Sequence, residues 1–137
     1  MLRRARVNKS RVFCGWLITV FVLAGCQSPT LLLPGKQLQG TQARTDSFAF
    51  AAEFPVLQLE VNPAAPYSVN LRITVIDGEL YIDAAKKRRW YQYLATNRQV
   101  RVQLDGKIYD ALAVAVTDAD IVSRFRRDRV IFRLEPI

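Results

Sequence analysis

Histidine is absent from this chain of 137 residues, and with it the side chain most used as a general base and as a metal ligand. Cysteine is nearly absent as well, since Cys14 and Cys26 are the only two. Hydrolases built on Ser-His-Asp or Cys-His pairs are excluded, as is a zinc centre of imidazoles or paired thiols. Acidic residues are the minority charge, 12 against 20 Lys and Arg. They are also scattered. Asp77 and Asp105 precede glycine in hairpin-turn pairs, Asp118 and Asp120 stand at a predicted helix start, and none forms an acid–base or metal-binding pair. Ser68 and Ser123 have no histidine to activate them. No apolar run reaches the roughly 20 residues of a helical membrane span; that from Val12 to Gly25 has 14.

What the first 26 residues contain is ordered. Arg3, Arg4, Arg6, Lys9 and Arg11 precede the apolar run, which closes on Leu23-Ala-Gly-Cys26. A basic start, a short apolar stretch and small residues before a fixed position compose an export signal. This one resembles a bacterial lipoprotein signal with its lipobox. The resemblance implies that residues 1–25 are a signal peptide and that Cys26 is lipidated, with a thioether-linked diacylglycerol and a fatty acyl group such as palmitate on its amino group. An uncleaved anchor helix is the alternative. Cysteine usage agrees with lipidation, because Cys14 leaves with the leader and Cys26 then has no disulfide partner. The membrane is the implied partner and the cell envelope the implied address. In a Gram-negative host, Gln27 after the cysteine favours the periplasmic face of the outer membrane.

Removing the leader changes the charge. Five of the 20 basic residues and none of the 12 acidic ones precede Cys26, so a net +8 falls to +3. Nucleic acid is not an expected partner on that balance. The remaining positive charge lies in two runs, Lys86-Lys87-Arg88-Arg89 and Arg124, Arg126, Arg127 and Arg129. Each reads either as a solvated face or as a patch for anionic lipid or polysaccharide.

Residues 26–45 are rich in Pro, Gly, Gln and Thr and read as a lipidated tether. Residues 46–137 are enough for one small domain. Its period-two patterns predict strands over Val56–Val61, Ser68–Ile76, Glu79–Asp83, Val100–Leu104, Lys107–Val116 and Val130–Glu135. The pairs Asp77-Gly78 and Asp105-Gly106 predict tight hairpin turns. Lys86–Thr96 suits a helix that buries Trp90 and Leu94, with Asn97 as its C-terminal cap. Thr117-Asp-Ala-Asp120 resembles a capping box for a second helix with Ile121, Val122 and Phe125 inward. The expected fold is mainly β with two short helices, a small antiparallel barrel whose closure removes sheet edges.

The stretches Ala65–Asn70, Val75–Ile82, Arg89–Leu94, Val100–Tyr109 and Ala115–Asp118 resemble the split β-barrel of the FMN-binding, pyridoxamine phosphate oxidase-like superfamily. Their flavour is nearest to its deazaflavin-dependent nitroreductase-like branch. The resemblance covers about Val56 to Glu135. It implies a flavin or deazaflavin cofactor, FMN included, at a homodimer interface, with Lys86, Arg88, Arg89 and Trp90 as the tentative cofactor-binding residues. The turn at residues 84–89 lacks the Ser, Thr and Gly that cradle a flavin phosphate, and the Gly-, Lys- and Ser-rich loop of deazaflavin enzymes has no counterpart. Two functions remain open: a non-enzymatic ligand- or partner-binding envelope module, or a flavin-dependent oxidoreductase. No catalytic residue and no metal ligand is assigned.

Overall fold

The computed structural model describes residues 35–137; the expected leader over residues 1–25, the lipidation expected at Cys26, and Gln27 lie outside the described residues. The elements run β1 Thr41–Ala43, a 3-10 turn Ala49–Glu53, β2 Val56–Val61, β3 Tyr67–Arg72, β4 Thr74–Ile76 and β5 Glu79–Ala85. They continue with α1 Arg89–Thr96, β6 Gln99–Leu104, β7 Lys107–Ala115, α2 Ala119–Val122 and β8 Arg129–Pro136. Strands neighbour each other in the order β3-β2-β6-β7-β8-β5-β4, all antiparallel, and β1 pairs β7 in parallel. Both hairpin turns fall where the Asp-Gly pairs predict. Asp77 and Gly78 have φ of 51° and 82°, and Asp105 and Gly106 have 48° and 70°. Positive φ at both central residues is the mirror-image turn whose twist matches the strands it joins.

The stretch Ser68–Ile76, expected as one strand, is two. It breaks at Ile73, whose first half pairs β2 and whose second half pairs β5. One bent segment thus supplies both ends of the strand order, and the sheet curls into a split β-barrel. Inside lies a core that includes Leu57, Leu59, Leu80, Ile82, Val102, Phe132 and Leu134, all at most 1% exposed, and α1 adds Trp90 and Leu94 to it. On the outer side, α2 and Phe125 cover Ile76, Tyr81 and Ile131. The capping residue of α2 is Asp118 rather than Thr117: its carboxylate accepts from the N–H groups of Asp120 and Ile121 at 2.8 and 3.3 Å. A carboxylate also suits the positive end of a helix better than a hydroxyl.

Residues 35–45, read from composition as the end of a tether, are packed on the barrel. Glu60, on the polar face of β2, is 3% exposed and Gln58 6%, because this N-terminal strap covers them. The strap's backbone is held by the sheet's polar side chains. Leu38 donates its N–H to Glu60 at 2.7 Å, Gln103 donates to the Gln39 carbonyl at 2.6 Å, and the Ser68 hydroxyl donates to the Lys36 carbonyl. Buried polar groups need such partners. Period-two patterning identified the strand but could not show what lies over its polar side.

Candidate anion-binding site

Strand pairing decides where the basic residues go. β5 and β8 are antiparallel with Ala85 opposite Arg129. The chain leaving β5 at Lys86 and the chain entering β8 through Arg126 and Arg127 therefore meet at one end of the sheet. Residues far apart in sequence become one basic face. The turn before β8 is set by Asp128, at φ 70°, a conformation that Asp tolerates better than most residues.

The face carries two adjoining clefts. One, about 600 Å³, lies between β3 and the β5–α1 turn and is lined by Tyr67, Arg72, Asp83, Lys87, Arg88 and Arg129, among others. The other, about 560 Å³, is lined by Lys86, Lys87, Arg126, Arg127, Asp128 and Arg129. Lys87 and Arg129 belong to both. Asp83 is bound to Arg129 at 3.4 Å. Lys86, Lys87, Arg88, Arg126 and Arg127 have no ion-pair partner among the described residues. A further cleft of about 560 Å³ lies beside Glu60, Pro63, Pro66 and Ile137, but its arginine is spent on Glu60, 2.5 Å away.

The four tentative residues are divided by the structure. Arg88, Arg89 and Trp90 line the first cleft, whereas Lys86 lines only the second. The helix begins at Arg89, not at Lys86, because Arg88 is extended (ψ 138°) and its N–H closes a turn onto the Ala85 carbonyl. Arg89 is engaged within the fold. Its Nε donates to the Tyr93 hydroxyl at 3.0 Å, and its guanidinium lies 5.3 Å from the Tyr67 ring centre and 5.6 Å from that of Tyr93. That contact ties α1 to β3. Trp90 is 6% exposed and belongs to the core. The other tyrosines pack on neighbours in the same way, Tyr81 near Phe125, Tyr91 near Phe132 and Tyr109 near Phe48.

Chemically this arrangement is a cation cluster. The first turn of α1 has no acidic residue and no side-chain cap, so the helix dipole adds to the positive potential instead of being neutralised. Among the described residues, no thiol lines the first cleft, and its carboxylate, Asp83, is paired with Arg129. Among the described residues, no cluster of His, Cys, Asp or Glu is suited to a metal ion, and no helix is long and apolar enough to cross a membrane. The sequence missed Arg72, because a lone arginine at a strand end has no local signal, and it could not show that the two basic runs adjoin.

Neither a family model nor a curated protein matches the chain. Solved structures do. A Listeria innocua protein bearing the name of pyridoxamine 5′-phosphate oxidase superposes with a TM-score of 0.53 at 17% identity, covering 64% of this chain and 88% of that one. General Stress Protein 26 from Bacillus anthracis gives 0.51 at 16% identity, covering 60% and 79%. At such identities the likeness is one of fold: this chain is a split β-barrel of the kind those two proteins have.

Proposed function

We propose that the protein is a lipid-anchored, non-enzymatic binding module whose split barrel takes phosphate-bearing or similar anionic groups on the face made by the two basic runs. The observation that supports it is the pairing of Ala85 with Arg129, which gathers five cations that have no ion-pair partner among the described residues. Like charges held together repel, and a bound anion relieves that repulsion through charge-assisted hydrogen bonds. A face of cations with no histidine and no thiol binds an anion and has no group poised to move its protons. The anchor rests on the Leu23–Cys26 motif, which makes lipidated Cys26 the attachment and the cell envelope the address. In a Gram-negative host that address is the periplasmic face of the outer membrane.

A flavin or deazaflavin redox role is the second reading, favoured by the fold shared with a protein named for pyridoxamine 5′-phosphate oxidase. Lys87 and Arg88 fit the phosphate end of such a cofactor. The ring end is not fitted, because Trp90 is buried and the Tyr67 ring is covered by Arg89. A planar ring would need a surface from a second copy, that is, a homodimer.

One experiment separates the readings. The purified chain from Cys26 onward is titrated with inorganic pyrophosphate and with FMN, following melting temperature, the visible spectrum of the flavin and elution volume. Stabilisation by both with an unchanged flavin spectrum supports anion binding. A saturable spectral shift in a dimer supports the redox role, and no stabilisation by either ligand removes both.

A further inference from the structure

Gly35, the first described residue of the strap, is held at a defined place, and that place adjoins the basic face. Gly35 donates its N–H to the Ser68 carbonyl at 2.8 Å, and a Cβ built on it would stand 3.3 Å from the Tyr67 ring. The same ring lies 5.3 Å from the Arg89 guanidinium and lines the cleft with Lys87, Arg88 and Arg129. Residues 27–34 alone separate Gly35 from Cys26. In any conformation that segment spans at most roughly 30 Å, less than the roughly 35 Å width expected of a domain of this size. A lipid on Cys26 therefore keeps Gly35 and the adjoining Tyr67 within reach of the bilayer.

Charge is sorted along β5 in the matching sense. At its Ala85 end stand Lys86, Lys87 and Arg88, with Arg126 and Arg127 beside them. At its Glu79 end stand Asp77, Glu79 and Glu135. Arg133, the cation there, is held by Glu135 and lies 3.8 Å from Glu79. The hydrogen bond from Arg133 to Glu135 raises the guanidinium pKa above its ordinary value.

We propose that the basic face docks on the anionic headgroups of the same bilayer that carries the Cys26 lipid, fixing the barrel with its β4–β5 turn pointing away from the membrane. The proposal deepens the anion-binding reading and rests on its lipid anchor. A lipid fixes distance and leaves the domain free to rotate. Clustered Lys and Arg beside the attachment point, drawn to phosphate headgroups, remove that freedom. A soluble polyanion would use the same charges, but only a bilayer brings the Cys26 lipid and the anionic groups to one surface, within a few residues of Gly35.

The test uses the full chain, produced with its leader, extracted from membranes and reconstituted into vesicles of phosphatidylcholine alone or mixed with phosphatidylglycerol. Single cysteines report on each end: Gln92→Cys, one helical turn beyond Arg88, and Ala52→Cys, in the 3-10 turn that packs near the far end of β5. Mass spectrometry first reads Cys26. An unmodified Cys26 thiol would sink the anchored reading whatever the face does. In the lipidated protein, a membrane-impermeant maleimide should label Gln92→Cys on the order of tenfold more slowly in anionic than in neutral vesicles. Protection should vanish in about 1 M salt, where the screening length is about 3 Å. Ala52→Cys should label equally in both. Adding Arg126→Glu and Arg127→Glu, both exposed positions, should abolish the protection without lowering the melting temperature. Equal labelling of Gln92→Cys in the two vesicle types, or protection that survives the charge reversals, would overturn the proposal.

Discussion

Glu60 is the residue on which three parts of the fold converge. Its carboxylate accepts from the Leu38 N–H of the strap at 2.7 Å and from the Arg101 guanidinium of β6, with Nε also at 2.7 Å. Burying a carboxylate is costly, and full pairing offsets the cost without guaranteeing a net gain. Removing one partner is therefore worse than removing both. Glu60→Ala should lower unfolding free energy by about 2–3 kcal/mol, since Arg101 retains some solvent and the strap loses an acceptor. Replacing Glu60 and Arg101 together by Leu and Met should recover part of that loss. Urea denaturation of the two variants checks the order; a double variant less stable than Glu60→Ala would contradict it. Trp90 teaches the same lesson from the other side. Its spacing with Leu94 announced a buried face, and the structure places it in the core even though it borders the cleft.

At the scale of elements, what is local in cause was legible. The Asp-Gly turns, the alternation of β2 and the apolar pair on α1 are written within a few residues and were read from them. What depends on distant partners was not. β1 is a three-residue polar segment that becomes a strand only because β7 offers its edge, and the bend at Ile73 exists because the two halves of one strand find different neighbours. The strap is the consequential case. A chain starting at Asp46 should melt at least 10 °C lower than one starting at Gly35. It loses the cover over Gln58 and Glu60 at a few kcal/mol, and each kcal/mol shifts melting by roughly 4–8 °C in a domain of this size. Equal melting of the two truncated chains would show that the strap adds nothing. Gly40 marks how closely the strap lies, because a Cβ there would come within 2.5 Å of the Gly106 carbonyl oxygen.

For the whole molecule, the net charge says less than its distribution. Five of the eight excess cations precede Cys26, and the two basic runs that follow are brought to one end of β5 and β8 by strand pairing that no composition reveals. The proposed anchor and the proposed anion-binding face would act at different ranges. Cys26→Ser should shift the protein from the membrane fraction to the soluble fraction once salt is raised to about 1 M, where screening silences the basic face. At low salt some should remain bound through that face. Retention of the variant in the membrane fraction at high salt would mean that lipid on Cys26 is not what holds the protein.

Two sequence-distant basic runs form one basic face, proposed above to bind anions. Titration calorimetry with inorganic pyrophosphate tests it most directly, on the chain from Cys26 onward carrying Arg88→Glu, Arg127→Glu, both, or Lys107→Glu on the exposed start of β7. Each of the first two reversals should weaken binding on the order of tenfold, both together should weaken it further, and Lys107→Glu should change little. Full affinity retained after reversal in either run would contradict it, leaving two separate solvated surfaces in place of one site.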